Sequence, residues 1–151
     1  MSLPLTLSDF AGGWRLSRRI EDAHAGQVIE AEGRASLTED GEGRLCYLET
    51  LRLFPPGQAP LTGTRRYLWQ AQAPGIAVRF EDGRPFHRIA LGQADPGDVH
   101  DCPPDRYAVR YGFGQWPRWC TQWHVRGPRK DYAMWTEYRR DPSPGAGRVG
   151  K

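Results

Sequence analysis

The sequence predicts an all-β fold: an antiparallel, up-and-down meander closed into a barrel of about 8–10 strands. Three observations lead there. Strand-like runs recur from one end of the chain to the other, and none carries a convincing helical period. Most connections between them are short, which makes sequence neighbours pair antiparallel. Eighteen glycines and thirteen prolines punctuate the 151 residues, favouring many short elements over a few long helices. A meander of this kind has two open edges. Closing it into a barrel removes them; a two-sheet sandwich is the competing solution.

The elements follow in order. A short turn at Leu7 to Ala11 is the one helix candidate, with Ser8 or Asp9 as its cap. Nine strand runs come next: GWRLSRRIED, VIEAEGRASLTED, RLCYLETLRLF, TGTRRYLWQAQ, IAVRFE, RPFHRIALG, DRYAVRYGFG, RWCTQWHVR and DYAMWTEYRRD. Turn-rich segments such as HAGQ, GEG, PPGQAP, APG and GPRK separate them, and QADPGDVHDCPP reads as a longer loop. Residues 1–141 therefore form one barrel domain, and 142–151 a mobile Pro/Gly-rich tail.

Alternation within the strands sets which side chains face inward. In FEDGRPFHRI, a two-residue Asp82-Gly83 hairpin places Val78 opposite His87 and Ile76 opposite Ile89. One face then carries Ile76, Val78, Phe80, His87, Ile89 and Leu91. The other carries Ala77, Arg79, Glu81, Arg84, Phe86 and Arg88. The apolar face is the inner one, so His87 points inward, provided that the loop has two residues. The same logic turns Trp14, Leu16, Arg18 and Ile20 inward from the first strand, and Leu45, Tyr47, Glu49, Leu51 and Leu53 from the third. Tyr107, Val109, Tyr111 and Phe113 share an inner face, as do Trp119, Thr121, Trp123 and Val125, which leaves His124 outside. The fourth strand is ambiguous, because Tyr67 and Trp69 compete with Arg66 and Leu68. Trp116, Trp119, Trp123 and Trp135 read as a core wall rather than a stacking platform for bases.

The net charge of +3 comes from 21 basic and 18 acidic residues. All the basic residues except Lys130 and Lys151 are arginine, scattered in runs no longer than Arg18-Arg19, Arg65-Arg66 and Arg139-Arg140. That is no nucleic-acid footprint, which needs a concentrated basic face. No segment has the length and apolarity of a membrane span. Three cysteines, Cys46, Cys102 and Cys120, make an odd set with no CxxC pair, unlike a disulfide framework or a zinc finger. The opening MSLPLTLSDF has neither a basic n-region nor a long apolar h-region, so a cytoplasmic location is expected. Subunit number is left open, a homodimer included.

The expected interior is apolar and aromatic, with Arg18, Tyr47, Glu49, His87, Tyr107 and Tyr111 as polar intruders. Buried charges need partners, and Arg18 with Glu49 is the natural pair. Apolar walls with a few convergent polar groups make a ligand cavity. The leading expectation is thus a small, partly apolar ligand with an acidic or carbonyl group, held by Arg18 and His87 and oriented by Glu49, Tyr47, Tyr107 and Tyr111. The cofactor, if any, is unknown. An enzyme of isomerase, cyclase or hydrolase type is the alternative, with His87 as general base alongside Glu49 or a tyrosine. Weaker metal candidates are His100 and Cys102, flanking Asp101 in one loop. A solid barrel acting as an interaction module is the remaining option.

Gly12-Gly13-Trp14 resembles the G-x-W that opens the first strand of the calycin superfamily, which includes the lipocalins. That resemblance implies a lipocalin-like barrel with Trp14 at its floor and a late basic residue, Arg139 or Arg140, packed over it. Calycin relatives resembling nitrobindin carry haem on a barrel histidine, which would fall to His87 or His124. Over nearly the whole chain, GWRLSRRI, YLE, FEDGRPFH, HDCPPDRY and WHVRGPRKDY resemble an uncharacterised family of bacterial and fungal proteins, known as a domain of unknown function. It implies no particular activity.

Overall fold

The computed structural model describes residues 2–142. After a 3-10 turn, η1 (Leu7–Phe10), come ten strands. They are β1 (Gly12–Asp22), β2 (Gln27–Glu39), β3 (Arg44–Phe54), β4 (Leu61–Gln72), β5 (Gly75–Phe80), β6 (Pro85–Ala90), β7 (Gly97–Cys102), β8 (Asp105–Gly112), β9 (Trp119–Gly127) and β10 (Lys130–Arg140). All pair antiparallel in one sheet of order β6-β5-β4-β3-β2-β1-β10-β9-β8-β7. The meander expected from the sequence is therefore present, and β1 pairing with β10 brings its two halves together. The sheet curls until β6 and β7 lie side by side. There the ladder stops, and the Arg88 N–H donates instead to the Asp98 carboxylate across the seam at 2.7 Å. The barrel is nearly, not fully, closed. Gly33 helps the curl: a Cβ there would run into the Thr50 carbonyl on β3.

One strand was not expected. The segment read as a long loop contains β7, which pairs with β8 from Gly97↔Arg110 to Cys102↔Asp105. Its sequence GDVHDC holds a single β-branched residue, Val99, so its pairing rather than its propensity makes it a strand. The helix candidate is confirmed as η1, but Thr6, not Ser8 or Asp9, is the N-cap. Asp9 lies inside the turn and accepts from the N–H groups of Leu5 and Thr6 at 2.8 and 3.1 Å. Of the expected tail, residues 143–151 lie outside the described ones.

The β5–β6 hairpin departs from the two-residue expectation and still puts His87 inside. Phe80 donates its N–H to the Arg84 carbonyl, and Gly83, at φ 91°, donates to the Phe80 carbonyl. The loop thus has three residues, Glu81 to Gly83, and needs the positive φ that glycine supplies. Alone, this would shift the register by one. A bulge follows at once: Arg79 pairs with Pro85, then Val78 with His87. The extra residue in the bulge cancels the extra residue in the loop. Phe86 is that bulge residue, and it turns inward, 9% exposed, instead of outward as alternation predicts.

The other inner faces follow alternation. Trp14, Leu16, Arg18, Leu45, Tyr47, Glu49, Leu51, Val109, Tyr111, Phe113, Trp119, Thr121 and Val125 are all buried. The ambiguous β4 resolves in favour of Tyr67 and Trp69. Trp135 is the exception among the tryptophans: it is exposed on the outer face, so it is no part of the core wall. One barrel end is plugged. Phe10 of η1 inserts edge-on among Trp69, Phe113, Trp116 and Trp119, with centroids 4.9–5.7 Å away. Trp14 donates its indole N–H to the Phe10 carbonyl at 2.9 Å. Arg140 is the basic residue over Trp14, 4.0 Å from the ring centroid, and it donates to the Asp9 and Ala11 carbonyls at 2.7 Å each. The opposite end, ringed by the β5–β6, β7–β8 and β9–β10 turns, stays open.

Candidate functional site

A cavity of about 700 Å³ fills the barrel above the plug. All six polar intruders expected from the sequence, Arg18, Tyr47, Glu49, His87, Tyr107 and Tyr111, line it. They form three separate groups.

The first group is the polar floor. Arg18 and Glu49 form a bidentate ion pair, Nη1 to Oε2 at 2.8 Å and Nη2 to Oε1 at 2.9 Å. The third nitrogen, Nε, donates to Thr136 Oγ1 at 2.7 Å. Tyr47 donates to Glu49 Oε1 at 2.6 Å, and its own oxygen meets Tyr138 Oη at 2.8 Å. Since Tyr47 spends its proton on the carboxylate, Tyr138 is the donor to Tyr47. Burial alone would raise the Glu49 carboxyl and lower the Arg18 guanidinium; their mutual hydrogen bonds outweigh this, holding Glu49 below and Arg18 above their ordinary values. Tyr138 is pushed up to about 12, chiefly by burial and then by the Glu49 charge. Sequence alternation found Arg18, Glu49 and Tyr47; on β10 it counted Trp135 into the core, the phase opposite to Thr136 and Tyr138, and so missed both.

The second group is His87 with Tyr111. His87 Nε2 lies 2.8 Å from Tyr111 Oη, and no hydrogen bond joins His87 to Glu49. The ring packs edge-on against Phe86 and Trp123. Its Nδ1 is buried without a hydrogen-bond partner. A bare lone pair is less costly to leave unpaired than an N–H, so we assign the proton to Nε2, donating to Tyr111. Tyr111 then keeps its own O–H proton. Burial lowers the His87 pKa to about 3, with Asp98 opposing and His100 adding to the shift. His87 is neutral at neutral pH. The indole N–H of Trp119, also in the cavity wall, is buried and unpartnered as well.

The third group stands at the mouth. Lys130 donates to Tyr107 Oη at 3.1 Å and pairs with Asp105 at 3.1 Å; these two contacts, in that order, raise its pKa. Arg65, Tyr67 and Tyr132 line the cavity nearby, as do His100 and Cys102 on β7. His100 packs against Phe80 and Phe86. Among the described residues no three His, Cys, Asp or Glu side chains converge as metal ligands. Neither histidine expected to hold a haem, His87 or His124, is placed to do so. His124 faces outward, near Asp131 and Arg126, while His87 has one nitrogen engaged by Tyr111 and the other sealed in the wall. Cys46, Cys102 and Cys120 are free. No helix among the described residues is long and apolar enough to cross a membrane.

The fold has counterparts among solved structures. The S-type phycobiliprotein lyase CPES from Guillardia theta superposes with a TM-score of 0.55 at 12% identity, over 90% of each chain. The structure of EF1p2_mFAP2b bound to DFHBI gives a TM-score of 0.48 at 8% identity, over 93% of this chain and 100% of that one. No curated protein matches the sequence. One family model does, across residues 10–140, and the chain accordingly belongs to the family of unknown function DUF6314.

Proposed function

We propose that this protein reversibly binds a small, partly apolar molecule inside its barrel, with a carbonyl or acidic group meeting the polar side chains. The carrying observation is the cavity of about 700 Å³, walled by aromatic rings and open at one end. That volume and lining are those of a small-molecule site. The Arg18–Glu49 pair makes the floor polar without net charge, and its geometry is fixed before any ligand arrives. Tyr111 offers a hydroxyl proton that no neighbour takes up once His87 donates to it, and a ligand carbonyl is its natural acceptor. In this reading Arg18, Tyr47 and Glu49 shape the floor, while His87, Tyr107 and Tyr111 orient the ligand. The likeness to a phycobiliprotein lyase agrees with a barrel built around a guest.

General-base chemistry fits less well. A histidine held near about 3 has little proton affinity at neutral pH, and Glu49 is committed to Arg18 and Tyr47. The test is to fill the cavity. Thr121→Trp would place an indole in it, and 8-anilinonaphthalene-1-sulfonate reports occupancy by its fluorescence. The wild type should bind the dye with about one equivalent, and the variant should lose it while keeping its circular dichroism. Equal binding by both would place the dye elsewhere and remove the basis of the proposal. A native mass spectrum of the purified protein, set beside the denatured mass, would identify any ligand retained.

A further inference from the structure

Arg65 brings a cation to the cavity that feels the Glu49 charge and the Tyr67 hydroxyl but has, among the described residues, no ion-pair partner of its own. It stands on β4 directly opposite Glu49 on β3, so the two side chains share the inner face. Both Glu49 oxygens, however, already accept from Arg18, and Tyr47 adds a further donor. Among the described residues Arg65 makes no ion pair. The acidic residues of the adjoining β5–β6 loop are engaged elsewhere: Asp82 with Arg84 at 2.8 Å and Glu81 with Arg66 at 3.9 Å. The other carboxylate lining the cavity, Asp101, is exposed on β7, three strands further round the rim.

Position matters as much as charge. Arg65 is exposed beside Tyr67 and the β5–β6 turn that rings the open end, whereas the wall nearer the plug is built from Trp69, Val78, Tyr111 and Trp119. The polar floor has no spare charge to meet an anion. An ionised group carried deep would lose its water without gaining a free cation, which is costly. At the mouth it would stay half hydrated and meet a guanidinium shaped for a carboxylate.

We infer that Arg65 is the anion anchor of the barrel, and that the ligand is an amphipathic acid which enters ring-first and leaves its carboxylate at the mouth. This rests on the binding function proposed above and adds its orientation and charge. The deep end of such a ligand is neutral and flat enough to lie among the indole and phenol rings, with any carbonyl directed at Tyr111.

The test compares two probes of one shape, 2-anthroate and its neutral amide, titrated by tryptophan fluorescence quenching. The wild type should bind the carboxylate about tenfold more tightly than the amide, as expected of one charge-assisted contact. Arg65→Gln should erase that preference and leave amide affinity unchanged. Arg66→Gln, a neutralisation of the neighbouring outward residue, should retain the preference. Equal affinity for both probes in the wild type, or a preference that survives Arg65→Gln, would overturn the assignment while leaving the binding cavity intact. Binding of neither probe would overturn the cavity function, and this inference with it.

Discussion

Replacing Glu49 by glutamine would strip the barrel floor of its only negative charge and leave Arg18 buried without a counter-ion. The Arg18 and Glu49 side chains are 7% and 3% exposed, so water cannot take over the lost interaction. Breaking a buried pair from one side costs about 3–5 kcal/mol. With a urea slope of about 2 kcal/mol/M, the unfolding midpoint should fall by about 1.5–2.5 M at pH 7. The double variant Arg18→Met/Glu49→Leu removes both charges and should recover most of that loss, because apolar isosteres replace buried pairs at little cost. Acid supplies a second check. The Glu49 carboxyl is held below its ordinary 4.5, so its contribution is complete above that value and fades as pH falls through the folded one. The gap between wild type and Glu49→Gln should therefore narrow on acidification below 4.5. Urea titrations monitored by tryptophan fluorescence would measure all of this. A gap under about 1 kcal/mol at pH 7, or a double variant as unstable as the single one, would refute the reasoning from burial.

His87 also loses stability on acidification, but its loss begins at a higher pH than that of Glu49. Its pKa drops from 6.5 to about 3 on folding, so the unfolded chain takes up the proton first. Stability from this source is complete above 6.5 and declines as pH falls toward 3. Between pH values of about 6.5 and 5, where carboxylates are still ionised, His87→Gln should show a shallower fall in urea midpoint than the wild type; parallel curves would count against a neutral buried His87. At the plugged end, Arg140→Met would lose the contact over Trp14 and two charged hydrogen bonds, one to Asp9 of η1 and one to Ala11 just after it. We expect a loss of about 2–3 kcal/mol and a melting temperature about 5–10 °C lower by calorimetry, and a drop under about 2 °C would mean that η1 is held mainly by Phe10.

Much of the site was legible because charge broke an apolar pattern. Arg18 and Glu49 each sit at the inward phase of a strand whose other inward residues are Trp, Leu, Ile or Tyr, so alternation alone sent both inside and required them to meet. Arg65 and Tyr67 were not legible, since β4 carries an arginine and an apolar side chain on each phase. β7 escaped because its Gly, Asp and His residues carry turn-like propensity, and only the partner strand makes them extended. Phe86 was assigned to the wrong face for a different reason: a bulge adds a residue that no period-two pattern contains. Thr136 and Tyr138 obey simple alternation along β10, but the size of Trp135 drew the inner face to the opposite phase.

The hairpin that carries His87 keeps its length by parity. One extra residue in the Glu81–Gly83 loop and one at Phe86 together restore the even count that faces His87 inward. Losing either one alone would turn the rest of β6 inside out, sending His87 and Ile89 to solvent and Arg88 into the aromatic wall. Losing both would leave those three residues where they are, with a tighter turn and a cavity missing one phenyl ring. This stretch can thus change length without inverting the strand only in steps of two, and the surviving phase of His87 is the trace by which such a change would be known.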